Sequence, residues 1–317
     1  MDEKELPKFD KKDIGILSIL ELDSRTPLSA IAKKVGLSKA SVSARIKKIE
    51  DSGVINRFPI ELNHKALGYP NYRLYLKFEN VPEGFESKLA RYLFTHGSVR
   101  WFAFTQGMWD ITIRVYGKSI EQFKEFETDV MSNFGKYIKS KAFAINIDPT
   151  IHKCSYFTGN FGPYTEEISN YKGGIIPLSK LDYKILYWLY EDSRMHVSEI
   201  AKKVSASPEV VSYHIKKLQN LGIIHAFYAR FNRRKLGYME TKVIFWLQYS
   251  EPKRMKDLVD YCQMLAYPSF FTQILGPWDF EIDMDAKDSV HLYKIIREIR
   301  SKFPDIIRDF TVLTKIK

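Results

Sequence analysis

A chain of 317 residues, 45% apolar and 14% aromatic, carries enough hydrophobic material for about two to four packed domains, which excludes a disordered polypeptide. Its formal charge of +11 and pI near 9.3 favour a polyanionic partner. No run of 18 apolar residues exists, MDEKELPKFDKKD lacks the apolar centre of a signal peptide, and neither Cys154 nor Cys262 lies near a second thiol or a histidine pair at zinc spacing, so a cytoplasmic chain with no metal, no cofactor and no membrane contact is expected.

In chain order, Asp10 with Asp13 three residues later reads as the start of a helix of about three turns, whose inward face carries Ile16, Leu17 and Leu20. Leu28 to Ile55 then reads as helix, turn, helix. Ile31 and Val35 form the stripe of the first short helix, Gly36 permits the turn, and Ser38 caps the second helix. Val42, Ile46 and Ile49 recur at helical spacing, leaving Lys39, Ser41, Ser43, Arg45, Lys47 and Lys48 outside. Short helices meeting at a tight turn, the second basic and hydroxyl-rich on its outer face, fit a DNA-reading helix-turn-helix; an αα-hairpin with a solvated charged face is the plainer alternative. Gly53 ends the basic helix, and Val54 to Ile60 is a strand-like wing.

Beyond Leu67-Gly68-Tyr69 the texture changes. Tyr72 to Glu79 predicts a strand, Phe85 to Leu93 a helix, Val99 to Thr105 and Ile111 to Tyr116 two strands, Ile120 to Phe134 a helix, and Ile138 to Ile147 a last strand. That order is the split βαβ of a ferredoxin-like sandwich, with both helices on one sheet face. Tyr75, Trp101, Phe102, Phe104 and Trp109 suggest that the other face is apolar too, so the sheet needs a partner.

Shifting the sequence by 169 residues aligns 13–69 with 182–238 without a gap, with 26 of 57 positions identical. The same shift carries Gly107, Trp109, Asp110 and Phe134 onto Gly276, Trp278, Asp279 and Phe303. Two copies of one module result, an α+β chain of two winged helix-turn-helix domains each followed by a βαββαβ domain. The expected divisions are 1–63, 64–148, a linker over 149–176, 177–232 and 233–317. Tyr156, Phe157, Phe161, Tyr164 and Tyr171 imply that part of the linker packs. The second reading helix offers Ser212, Tyr213, His214, Lys216 and Lys217, with Pro208, Glu209 and His214 replacing Lys39, Ala40 and Arg45. Base reading is therefore expected mainly from the first copy, with the second holding the DNA backbone through a cluster beyond its wing, Arg230, Arg233, Arg234 and Lys235.

A helix-turn-helix with SRTPLSAIAKKVGLSKASVSARIKKIEDSGVI, a strand-like hinge and a βαββαβ domain with Gly-x-x-Asp between its central strands resemble the Lrp/AsnC family of transcription regulators. The resemblance implies double-stranded DNA as partner, pairing through the sheets, and an amino-acid effector near Gly107, Asp110, Gly276 and Asp279. A homodimer of chains, or a higher oligomer, is expected. The family usually holds one copy per chain, so the tandem is a departure. Sirohaem decarboxylases resemble the same architecture, and a chromatin-like architectural role would also suit the charge. The histidines, His64, His96, His152, His196, His214, His225 and His291, form no repeated constellation, and no phosphate-binding glycine loop, Gly-x-Ser-x-Gly or His-Glu-x-x-His is present. A transcription regulator that needs no catalysis is the expectation.

Overall fold

The computed structural model describes residues 8–151, 157, 173–248, 251–265 and 268–316. The first copy supplies helices α1 (Lys11–Leu22), α2 (Leu28–Val35) and α3 (Lys39–Asp51), strands β1 (Ile55–Arg57), β2 (Ile60–Leu62) and β3 (Asn71–Phe78), then α4 (Phe85–Thr95), β4 (Val99–Gln106), β5 (Ile111–Tyr116), α5 (Ile120–Phe134) and β6 (Ile138–Ile151). The second repeats the order with α6 (Lys180–Glu191), α7 (Val197–Val204), α8 (Pro208–Asn220), β7 (Ile224–Phe227), β8 (Arg230–Phe231), β9 (Met239–Leu247), α9 (Pro252–Met264), β10 (Pro268–Leu275), β11 (Phe280–Ala286), α10 (Ser289–Lys302) and β12 (Ile307–Lys315). The expected α+β order holds element by element. The units, however, group by kind rather than by copy: 1–67 joins 172–238, and 68–152 joins 239–317.

In the first unit α1 opens on a capping box, Asp10 accepting from Asp13 N at 2.8 Å while Asp13 accepts from Asp10 N at 3.2 Å. Ser179 and Asp182 do the same for α6. Gly36 ends α2 at φ 64°, where a side chain would be strained. The wings are exchanged. Strand β1 pairs with β8 and β2 with β7, both antiparallel, so Ala229 and Phe231 of the second copy complete the core around Ile16, Val42 and Ile46 of the first. Burying Phe231 there contributes about 1.5–3 kcal/mol. Phe157, alone among the linker aromatics within the described residues, joins this core edge-on to Phe9 and Phe231. Tyr156, Phe161, Tyr164 and Tyr171 lie outside the described residues, as do His152 and Cys154.

The relation between the copies is a pseudo-two-fold. Ser24 and Ser193, 169 positions apart, are buried with their hydroxyls 2.7 Å from each other. Around them the contacts come in pairs. Ser24 N donates to Phe227 O and Ser193 N to Phe58 O; the Arg25 guanidinium lies 5.4 Å from the Phe227 ring and Arg194 5.3 Å from Phe58. Arg25 also donates to the carbonyls of Ser193 and Met195, and Arg194 to that of Ser24.

In the second unit all eight long strands close one barrel, in the order β10-β11-β9-β12-β4-β5-β3-β6. Outward residues of each strand pack on the helices: Tyr72, Leu74, Leu76, Ile111 and Ile113 meet Phe85, Leu89, Phe123 and Val130, and Val243, Phe245, Phe280 and Ile282 meet Leu258, Leu292 and Ile296. Cys262 lies buried in that second core, which pushes its thiol well above the usual range. Inside the barrel, Tyr75, Trp109, Ala144, Ile244, Ile274, Trp278 and Leu313 form one cluster. The sheets therefore satisfy each other within one chain, which corrects the expectation that they pair between chains. Phe104 packs on the helix side, not the inner face.

Candidate nucleic-acid interface

Each reading helix is placed by the helix that precedes its module. Helix α3 buries Val42, Ile46 and Ile49, and α8 buries Val211, Ile215 and Leu218. At 100° per residue, the positions opposite these stripes are Ala40, Ala44, Lys47 and, at the helix end, Asp51 on α3, and Glu209, Tyr213, Lys216 and, at the helix end, Asn220 on α8, all exposed. Ser38 caps α3 by accepting from Ser41 N at 3.1 Å, and the two hydroxyls lie 2.9 Å apart, so both serve the helix start. Ser207 caps α8 with Pro208 at the first turn, as the sequence suggests.

Three of the expected reading residues, partly exposed, are engaged by the first helix of their module instead. Arg45 donates to Asp10 and Asp13, both at 2.7 Å, bracing α3 against α1. His214 Nδ1 lies 2.7 Å from Asp182 and Lys217 Nζ 3.3 Å from it, the same brace between α8 and α6. Burial pushes the Asp182 carboxyl up, but hydrogen bonds from His214, Ser179 and Lys217 outweigh it and hold the group at about 2. Lys39, Ser43, Lys47, Lys48, Tyr213 and Lys216 stay exposed, Tyr213 at 65%, and Ser212 is half-buried. The sequence carried a signal for the brace, since an acid recurs at 13 and 182 and a cation-capable residue at 45 and 214.

Wing exchange also relocates the basic cluster beyond the second wing. Arg230 pairs in register with Arg57, Asn232 N donates to Val54 O, and Lys235 Nζ donates to Ser52 O at the end of α3. Arg233 and Arg234, in the turn that follows, therefore accompany the first copy's module rather than the second's, which corrects the compensation expected from the sequence.

The Gly-x-x-Asp loops hold strands. Asp110 accepts from Phe78 N and from Lys77 Nζ, both at 2.7 Å, and Lys77 also donates to Gly107 O. Asp279 accepts from Leu247 N at 2.7 Å. Gly107 has φ 142°, and a Cβ there would stand 2.5 Å from Val312 O, so glycine is needed for the turn and the close approach. A Cβ on Gly276 would meet Phe143 O at 3.0 Å.

A family model for winged helix-turn-helix DNA-binding matches residues 9–56 and 178–225. The HTH-type transcriptional regulator FL11 of Pyrococcus abyssi is 32% identical over 118 residues, covering 37% of this chain and 77% of its own length. The chain belongs to the Lrp/AsnC family of transcription regulators. The HTH-type transcriptional regulator LrpA of Pyrococcus horikoshii is 47% identical over 61 residues, 19% of this chain and 43% of its own, so that match spans under half of the relative. Among solved structures, the siroheme decarboxylase NirDL has a TM-score of 0.65 over 97% of this Lrp/AsnC chain and 92% of its own, at 13% identity. That likeness is one of fold. It corrects the expectation that no catalysis is involved, because the whole tandem architecture is one that an enzyme also uses. Among the described residues no helix is long and apolar enough to cross a membrane, and no cluster of metal-ligating side chains occurs.

Proposed function

We propose that the chain is a sequence-specific, DNA-binding transcription regulator whose two winged helices read one duplex together. The observation that carries this reading is the pseudo-two-fold at Ser24 and Ser193, which fixes two outward-facing reading helices with exposed Lys39, Lys47, Lys48 and Lys216 in one unit. Base contact falls to the outermost side chains and to Ser43 and Ser212, while Arg45, His214 and Lys217 brace the helices and Arg233 and Arg234 serve phosphates beside the first module. The two halves of the site differ in chemistry. Ala40 and Ala44 are small and neutral; Glu209 is an acceptor suited to a cytosine amino group, and Tyr213 an apolar face suited to a thymine methyl. A response to a small molecule such as an amino acid belongs to the same proposal, at the loops Gly107–Asp110 and Gly276–Asp279, where the side chains of Asp110 and Asp279 are already engaged and the contact falls to the backbone.

Selection of binding sites from random duplexes tests it. A selected site with two unequal halves, bound with an affinity that falls steeply with salt, supports the reading; binding to every duplex alike leaves only an architectural role. A second reading, siroheme decarboxylase-like chemistry, has the whole-chain likeness of fold behind it. Release of carbon dioxide on incubation with sirohaem tests that one.

A further inference from the structure

The internal repeat supplies its own control for the barrel interior. On β9 and β11 of the second copy, Lys242 and Asp283 are register partners and form an ion pair at 3.2 Å; Lys242 also reaches Glu281 at 2.6 Å, and Lys315 reaches Asp283 at 3.0 Å. The equivalent register partners on β3 and β5 are Arg73 and Arg114. Two arginines occupy facing register positions where the other copy has a cation and an acid, Arg114 stacking at 5.1 Å on Tyr116, and like charges directly opposite are destabilising. Arg73 is 6% exposed, stacks at 5.5 Å on Trp101, and forms no ion pair or hydrogen bond among the described residues. Nε of both arginines is buried without a hydrogen-bond partner.

The neighbouring tier repeats the contrast. Asn71 and Asn146 are register partners, each 6% exposed, and all four of their amide atoms lack a hydrogen-bond partner, as does Thr112 Oγ1. Their counterparts are Glu240 and Lys315, which have partners of their own. Nearby acids are already engaged: Glu281 accepts from Lys242, Trp278 and Tyr75, and Asp283, within electrostatic reach of Arg73, is held by two lysines. Asp285, register partner of Glu240, likewise has a partner. Ala144, beside Arg73, is the smallest possible side chain with a Cβ.

A buried polar group without a partner is costly, and two guanidinium groups whose Nε atoms lack hydrogen-bond partners, beside unsatisfied amides, match paired carboxylates in charge and in donor chemistry. We propose that this face of the barrel interior, formed by Asn71, Arg73, Thr112, Arg114 and Asn146, binds a small dicarboxylate. The proposal does not depend on DNA reading. Paired carboxylates also occur as side arms of a tetrapyrrole, so the test separates the two sources.

The full chain is melted with succinate, with its uncharged diamide succinamide, and with uroporphyrin III, and the affinity for succinate is measured calorimetrically. A saturable rise in melting temperature with succinate, and none with succinamide, is expected. Arg73→Gln should weaken succinate at least about tenfold, whereas Lys88→Gln, on an exposed face of α4, should leave it unchanged. Arg114→Asp installs on the first sheet the cation–acid pair of the second, so it should melt higher than the parent without ligand and respond to succinate no longer. If circular dichroism shows that Arg114→Asp does not fold, Arg73→Gln alone decides. No response of the parent at about 10 mM succinate, an equal response to succinamide, undiminished binding by Arg73→Gln, or binding of uroporphyrin III without succinate overturns the proposal.

Discussion

Replacing Asp182 by asparagine isolates the charge that braces the second reading helix. The carboxylate is fully buried as a side chain, accepts from His214, Ser179 and Lys217, and titrates at about 2 against an ordinary 3.8. A displacement of nearly two units at about 1.4 kcal/mol each amounts to about 2.5 kcal/mol, or about 2 kcal/mol of stability once solvent screening of the partly exposed Lys217 is allowed for. Because the folded value is depressed, that contribution is complete above the ordinary value and is lost as the pH falls from about 5 through 2. The uncharged amide of the Asp182→Asn variant has no such dependence. Urea denaturation of both proteins in steps from pH 7 downward, with hydrogen exchange read on α6 and α8, should show a gap of about 2 kcal/mol at pH 7 that closes toward pH 2. A gap that stays constant over that range would mean that shape and hydrogen bonding, not charge, hold the helix, and the reasoning about Asp182 would fall.

Gly107→Ala places a side chain at φ 142° with its Cβ against Val312 O, and should cost at least about 1–3 kcal/mol in a thermal melt while leaving DNA contacts unaltered. Arg45→Ala should lower the melting temperature of the winged unit and leave base preference intact, because the guanidinium is spent on Asp10 and Asp13; a relaxed consensus in site selection would restore Arg45 as a reader. Replacing thymine by uracil in the half-site facing α8 should weaken binding about fourfold per methyl lost, and Tyr213→Ala should abolish that difference. Lys39→Gln with Lys48→Gln should weaken all sequences alike and lower the salt slope by about one unit per lost phosphate contact, measured by fluorescence anisotropy across salt concentrations.

The order of elements was legible because local periodicity writes it: Val42, Ile46 and Ile49 keep one face, and Tyr72, Leu74 and Leu76 alternate. The repeat at 169 residues told that two modules exist but not how they exchange strands, since β1 and β2 are three residues each and carry no pairing code. Apolar character on both faces of the sheet showed that a partner was required; whether the partner lay in the same chain depended on the path between the copies. Arg45 read as a surface cation because its acid partners sit 32 and 35 positions away. Arg73 read as an ordinary strand residue and Asn71 fell just before the expected strand, and only the register set them against Arg114 and Asn146.

The hydroxyl contact between Ser24 and Ser193 joins two halves of one polypeptide, and this changes the arithmetic of occupancy. Separate subunits must first find each other, so the amount of competent reader rises with the square of the protein concentration until association saturates. A tethered pair meets at a local concentration on the order of millimolar at any abundance, and the sites it fills rise in simple proportion to the number of chains. Dilution therefore leaves the pairing of the two modules within each chain untouched.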